Sequence, residues 1–260
     1  MDVLSNQFKQ RLADGDTVIG LWSGLVSSLA AEMCAQSAFD FLLFDAEHAP
    51  YSDGDVLACI QAISAYDTYP IVRTVSDDPM VLKRYCDIGV QTFVVPMVET
   101  AAQATGIVEG VRYPPDGTRG LGTSLARAAR WNQVPDYVAR ANKEMCVICQ
   151  VETRQGLENL EDIAGVEGVD MIFIGPADLG ASLGYPEQNE MISIVEKAIT
   201  DIRSFGNRAG VFVVDPTLAA RYVDCGAQMI GAGTDCGILV NGAKRLAHSF
   251  KHGGSEKGDY

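Results

Sequence analysis

Short apolar runs recur along the chain, separated by longer stretches with helical periodicity. The runs 18–22, 39–45, 71–75, 92–97, 146–151, 171–175, 209–214 and 228–231 are nearly continuous in apolar character. Strands covered on both faces read that way, whereas a half-solvated strand alternates apolar with polar. Between them, the stretches 27–37, 53–65, 79–88, 100–109, 136–144, 156–163, 191–205 and 218–225 read as helices. Strand and helix in alternation imply parallel strands joined by crossovers. Eight such units in 260 residues predict an α/β fold, one TIM (β/α)8 barrel over residues 1–250, and not an open doubly wound sheet. No G-x-G-x-x-G follows the first run, which weakens the dinucleotide-binding alternative. The stretch 111–134, with Tyr113-Pro114-Pro115-Asp116-Gly117-Thr118-Arg119-Gly120 inside it, interrupts the pattern. A loop that long is expected to serve function or a subunit contact. A last helix over 237–250 leads into residues 251–260, which are expected to form a disordered tail.

Composition changes this picture little, but charge narrows the partners. A net charge of −14 argues against nucleic acid and membrane surfaces, both polyanionic. An anionic substrate would then have to be met locally by arginines. The seven cysteines, at 34, 59, 86, 146, 149, 225 and 236, are odd in number and mostly embedded in apolar segments. That usage suits buried thiols in a reducing compartment. Cys146 and Cys149 are three apart on a predicted strand and so point to opposite faces, which argues against a metal or redox pair. Residues 1–16 show no signal pattern, and no run approaches the roughly 20 apolar residues of a membrane span, so a cytoplasmic enzyme is expected.

In a barrel of this type the site forms at the C-terminal ends of the strands. Those ends hold the residues with the most chemistry. The second run closes on Asp45-Ala46-Glu47-His48-Ala49-Pro50, and His48 is the one histidine placed for a folded interior, since the other two, at 248 and 252, lie near the C-terminus. Asp45 beside it could fix the imidazole tautomer and raise its basicity, making an acid/base dyad; otherwise His48 is a polar loop residue. Arg73 would be a charge in an apolar strand, calling for an anion or for a salt bridge to Asp45 or Glu47. Glu152 and Asp178 follow neighbouring strands and could share one ion; alternatively each caps a helix or pairs with an arginine. Gln150, two residues before Glu152, points the same way. Gly175-Pro176-Ala177-Asp178-Leu179 opens a helix-like turn whose backbone N–H groups suit a carboxylate. No lysine occupies a strand's C-terminal end, which disfavours a Schiff-base nucleophile and leaves electron withdrawal to a metal, with no organic cofactor.

These residues, in order and spacing, resemble the HpcH/HpaI class II pyruvate aldolases. The matching segments are Gly20-Leu21-Trp22, Phe39-Asp40 through Asp45-Ala46-Glu47-His48-Ala49-Pro50, Asp87-Ile88-Gly89-Val90-Gln91 and Val95-Pro96-Met97-Val98-Glu99-Thr100. They continue with Arg112-Tyr113-Pro114-Pro115, Gly117, Arg119-Gly120, Gln150-Val151-Glu152-Thr153, Gly168-Val169-Asp170 and Gly175-Pro176-Ala177-Asp178-Leu179. The resemblance implies a metal-dependent carbon–carbon lyase that cleaves a 4-hydroxy-2-oxo acid, through an enolate, to pyruvate and an aldehyde. It implies Mg²⁺ or Mn²⁺, with Co²⁺ also accepted, on Glu152 and Asp178. Arg73 would meet the enolate oxygen; Gln150, the Gly175-Pro176-Ala177 backbone and Trp22 would bind substrate; His48 with Asp45 would move the proton. Glu47 would order metal-bound water, and Asp87 would reach the site of a neighbouring subunit. The implied assembly is a homohexamer of paired subunits with the final helix exchanged between neighbours. Where many members carry Asn after Ala-Pro, this chain has Tyr51-Ser52, near the expected aldehyde pocket. Other readings stand beside this one: an oxaloacetate decarboxylase or an acyl-CoA lyase such as a citramalyl-CoA lyase, working through the same enolate, and an inert barrel serving binding or assembly.

Overall fold

A computed structural model describes residues 5–252. Eight parallel strands close into a barrel in sequence order: β1 (Val18–Ser23), β2 (Phe41–Asp45), β3 (Tyr69–Arg73), β4 (Thr92–Val95), β5 (Cys146–Val151), β6 (Val169–Ile174), β7 (Ala209–Phe212) and β8 (Ala227–Thr234). β8 closes the ring on β1, with Met229 opposite Val18. The barrel expected from the apolar runs is therefore the fold observed. Helices α2 (Ser28–Ala35), α3 (Asp53–Ile63), α4 (Pro79–Ile88), α5 (Ala101–Val111) and α6 (Tyr137–Glu144) occupy the first four crossovers, the fourth holding both α5 and α6. They are followed by α7 (Arg154–Glu158), α8 (Leu160–Ala164), α9 (Pro176–Leu183), α10 (Gln188–Ser204), α11 (Pro216–Asp224) and α12 (Asp235–His252). Side-chain oxygens of Ser27, Ser52, Asp78, Thr100, Thr153 and Asp215 satisfy the first free N–H groups of their helices.

Two apolar layers follow from strand parity. Phe41, Leu43, Ile71, Cys146, Ile148 and Met171 fill the barrel interior, while Leu42, Phe44, Val72, Val147, Cys149 and Ile172 face the helices. Cys146 and Cys149 thus lie on opposite faces of β5, and both are free thiols.

Several details depart from the sequence reading. A helix over Gln7–Asp14, here α1, was not anticipated; its Phe8 and Leu12 pack into the barrel interior with the strand residues. The expected single helix 156–163 is split into α7 and α8 at Asn159. α12 runs on through Lys251 and His252; the rest of the expected tail, 253–260, lies outside the described residues. The insertion after α5 is partly ordered as a 3-10 turn, Arg127–Ala129, and packs along α4.

Candidate active site

Strand parity also carries polar groups to the barrel mouth. Asp45 follows Leu43 on the interior face of β2, Arg73 follows Ile71 on β3, and Gln150 and then Glu152 follow Ile148 on β5. Asp45 and Arg73 are register partners on adjacent strands, so their side chains meet directly. Arg73 Nε donates to Asp45 Oδ1 at 2.9 Å and its NH2 donates to Oδ2 at 2.7 Å, with both residues buried. Arg73 NH1 lies 3.0 Å from Glu47 Oε2, yet that buried oxygen accepts no hydrogen bond, so the attraction there is charge without alignment. Burial opposes the Arg73 charge, but Asp45, Glu47 and Glu152 outweigh it and raise the guanidinium above its ordinary range.

The imidazole of His48 does not pair with Asp45. Asp45 Oδ1 instead accepts the backbone N–H groups of Glu47 at 3.2 Å and His48 at 3.3 Å, and the rest of the carboxylate is taken by Arg73. The His48 ring is largely exposed, with Nε2 3.6 Å from Glu47 Oε2. Register explains the difference from the expected dyad: Arg73 stands opposite Asp45 on the ladder, whereas His48 lies three residues past it in the loop.

Glu152 is buried, with Met97 N–H donating to Oε1 at 3.0 Å and Gln150 Nε2 donating to Oε2. Burial pushes its carboxyl up from 4.5 to about 7 against those hydrogen bonds, and repulsion from Glu47 and Asp178 adds to the rise. Glu47 is raised too, again chiefly by burial. Gln150 Oε1 is buried and accepts no hydrogen bond. A Cβ at position 175 would collide with Glu152 Oε2 and Gln150 Nε2, so glycine alone lets the end of β6 pass this close. Pro176 then starts α9, whose first turn carries the exposed Asp178.

A cavity of about 470 Å³ opens at this end of the barrel. Its lining unites Trp22, Asp45, His48, Arg73, Gln150, Gly175, Pro176, Ala177 and Asp178, all singled out from sequence; Glu152 lies behind Gln150, and Glu47 behind Arg73. Phe173, Phe212, Val213, Val214 and Thr234 complete the lining and were not foreseen. Parity could have found Phe173, two residues before Gly175. The Trp22 ring sits 5.4 Å from Phe173 and 5.2 Å from Phe212, an aromatic wall that keeps water from one side. Glu152 and Asp178 could hold a divalent cation: both offer hard oxygen donors and they repel one another. Among the described residues no three His, Cys, Asp or Glu side chains form a cage, so the remaining ligands would have to be substrate and water.

Two expected site residues lie elsewhere in this chain. Tyr51 does not line the cavity; it is buried against Phe44, its hydroxyl on Ser23, because the Ala49-Pro50 turn directs it inward. Asp87 is at the far end of α4, where its carboxylate accepts from Arg119 at 2.8 Å. Arg119 is fully buried and stacks over Tyr113 at 4.3 Å.

Residues 18–242 match the family model for HpcH/HpaI aldolase/citrate lyase. The chain is 48% identical over 262 aligned positions to a hydroxypyruvate/pyruvate aldolase of Deinococcus radiodurans, covering all of this chain and 95% of that protein. It is 46% identical over 252 positions to a 4-hydroxy-2-oxo-heptane-1,7-dioate aldolase of Klebsiella pneumoniae, covering 96% and 95% of the two. The crystal structure of an HpcH/HpaI aldolase/citrate lyase family protein from Burkholderia cenocepacia superposes with a TM-score of 0.90 at 34% identity, over 95% of this chain and all of that one. With a full-length match, a shared barrel and the charged mouth described above, the chain belongs to the HpcH/HpaI aldolase/citrate lyase family.

Proposed function

We propose that this protein is a divalent-metal-dependent aldolase that reversibly cleaves a 4-hydroxy-2-oxo acid to pyruvate and an aldehyde. The observation that carries the reading is the meeting of Glu152 and Asp178 beside Arg73 at the cavity, with Glu47 adding to their repulsion, an excess of negative charge that a hard cation balances. Glu152 and Asp178 would hold that cation, with Gln150 and Gly175 setting the Glu152 carboxylate. Bound there, Mg²⁺, Mn²⁺ or Co²⁺ supplies Lewis-acid polarisation of the substrate's 2-keto group.

The chain's own residues do the rest. The N-terminal turn of α9 meets the substrate carboxylate through the free backbone N–H groups of Ala177 and Asp178, which Gly175 and Pro176 leave open to the cavity. As the C3–C4 bond breaks, its electron pair moves to C3 and on to the oxygen at C2, where Arg73 stabilises the growing negative charge. Asp45 holds Arg73 by two hydrogen bonds, so the guanidinium is already in place when the charge appears. His48 takes the proton from the C4 hydroxyl as that carbon becomes the aldehyde carbonyl; C3 is then protonated to complete pyruvate. Trp22, Phe173 and Phe212 wall the carbon chain from water. The same reading includes a cytoplasmic homohexamer with its final helix exchanged, supported by the apolar Ile238, Leu239, Val240, Leu246 and Phe250 that α12 leaves exposed, and with Asp87 serving a neighbour's site.

Pyruvate release from a panel of 4-hydroxy-2-oxo acids tests this, run with EDTA and with added Mn²⁺. Turnover that needs the metal is expected; EDTA-resistant turnover, or borohydride trapping of a pyruvate imine, would sink it. His48→Ala is expected to lower aldol cleavage by roughly a hundredfold or more and to spare pyruvate binding.

A further inference from the structure

Ser23, Tyr51 and Asp235 take no part in the chemistry above, yet they are joined to one another beside it. Asp235 starts α12 and is 3% exposed. Its carboxylate is satisfied by neutral donors: Ser23 Oγ at 2.8 Å and Leu25 N–H at 3.3 Å on Oδ2, and Gly24 N–H at 2.8 Å and Cys236 N–H at 2.6 Å on Oδ1. A buried carboxylate is tolerated where it is so fully bonded, and it then fixes whatever it binds. Because Ser23 donates to Asp235, its Oγ accepts from the Tyr51 hydroxyl, 3.0 Å away.

The consequence falls on His48. Its loop runs between two anchors, Asp45 clamped to Arg73 and Tyr51 tied to Ser23, while its own ring is largely exposed and no closer than 3.6 Å to the Glu47 carboxylate. The same loop leans on the end of β1 and the start of α12: a Cβ on Gly24 would lie 3.9 Å from that of Ala49 and 3.2 Å from Cys236 Sγ. A second cavity of about 260 Å³ lies among these three segments, sharing Trp22, Asp45, His48 and Thr234 with the larger one. We infer that the Asp235–Ser23–Tyr51 chain is a positioning device for His48. It holds the loop after β2 against β1 and α12, so that the imidazole stands at the edge common to both cavities.

The inference deepens the proposed aldolase reading and depends on it only for kinetics. The full-length protein contains three histidines, so ring resonances of the Mg²⁺-loaded chain are readily sorted, with the His48 signal identified by its loss in His48→Ala. In Tyr51→Phe and in Asp235→Asn the His48 resonance should shift or split while that of His248 stays in place. In turnover, Tyr51→Phe should lower kcat for aldol cleavage by about tenfold and leave pyruvate inhibition within about twofold, because a small misplacement of a proton-transfer group costs rate rather than binding. Added to His48→Ala, Tyr51→Phe should cost little more, since both act through one group. An unmoved His48 resonance in both variants, an equal loss of pyruvate binding, or a fully additive loss in the double variant would overturn the inference. Should Asp235→Asn not fold, Ser23→Ala and Tyr51→Phe, which each remove one hydroxyl, decide the matter. A parent chain without aldolase activity would refute the proposed function and leave the resonance test intact.

Discussion

At the scale of single residues, burial holds the Glu152 carboxyl at about 7, inside the pH range where an enzyme of this kind would work. In the folded, metal-free chain the proton is kept up to about that pH, whereas in the unfolded chain it leaves near 4.5. The stability Glu152 contributes is therefore fully present below pH 4.5 and is lost as pH rises through about 7. Metal binding runs the other way, because a cation takes the ionised form. Mg²⁺ or Mn²⁺ affinity, measured by calorimetry, should fall by roughly tenfold per pH unit below about pH 7, and Glu152→Gln should flatten that slope. Gly175→Ala is expected to weaken metal affinity by at least about tenfold, with the melting temperature nearly unchanged, because the new Cβ displaces Glu152 and Gln150 and not the core. Of these residues, Asp45, Arg73, Gln150 and Glu152 were legible in the sequence from their place in or at the ends of the predicted strands, and parity put Gln150 and Glu152 on one face. The partner of His48 was not: the sequence left the Asp45 carboxylate open to His48 or to Arg73, and only the register gives it to Arg73.

At the scale of elements, the apolar runs located all eight strands, with ends shifted by a few residues. β4, for example, ends at Val95, two residues short of the apolar run's limit at 97. α1 went unseen because only Phe8 and Leu12 in Gln7–Asp14 are large and apolar, too weak a stripe to read as a buried helix. Its packing is tertiary: the Phe8 ring meets Phe41 at 5.8 Å and Tyr69 at 6.1 Å, and Lys9 Nζ donates to Met145 O at 2.6 Å. α1 thus closes the barrel end opposite the site. Phe8→Ala should cost about 3–5 kcal/mol in urea unfolding, a full core-cavity penalty. A cost near zero would show that α1 is a surface appendage.

At the scale of the molecule, no helix among the described residues is long and apolar enough to cross a membrane, and the apolar surface that stands out belongs to α12. α12 meets its own barrel mainly at β1 and β8, next to Asp235. If α12 docks on a neighbour as proposed, Leu246→Asp combined with Phe250→Asp should lower the mass found by sedimentation velocity; an unchanged mass would count against the exchange of this helix. The sequence by itself determined the barrel and the strand ends that bear its chemistry, because burial on both faces makes apolar runs and the two-residue period assigns every side chain a face. Only the tertiary structure decided which charges meet. Asp45 and Arg73 are 28 residues apart in the chain and opposite one another in the sheet; Ser23 and Asp235 are 212 apart and hydrogen-bonded. Such pairings depend on register and closure, which arise only when distant segments are brought side by side.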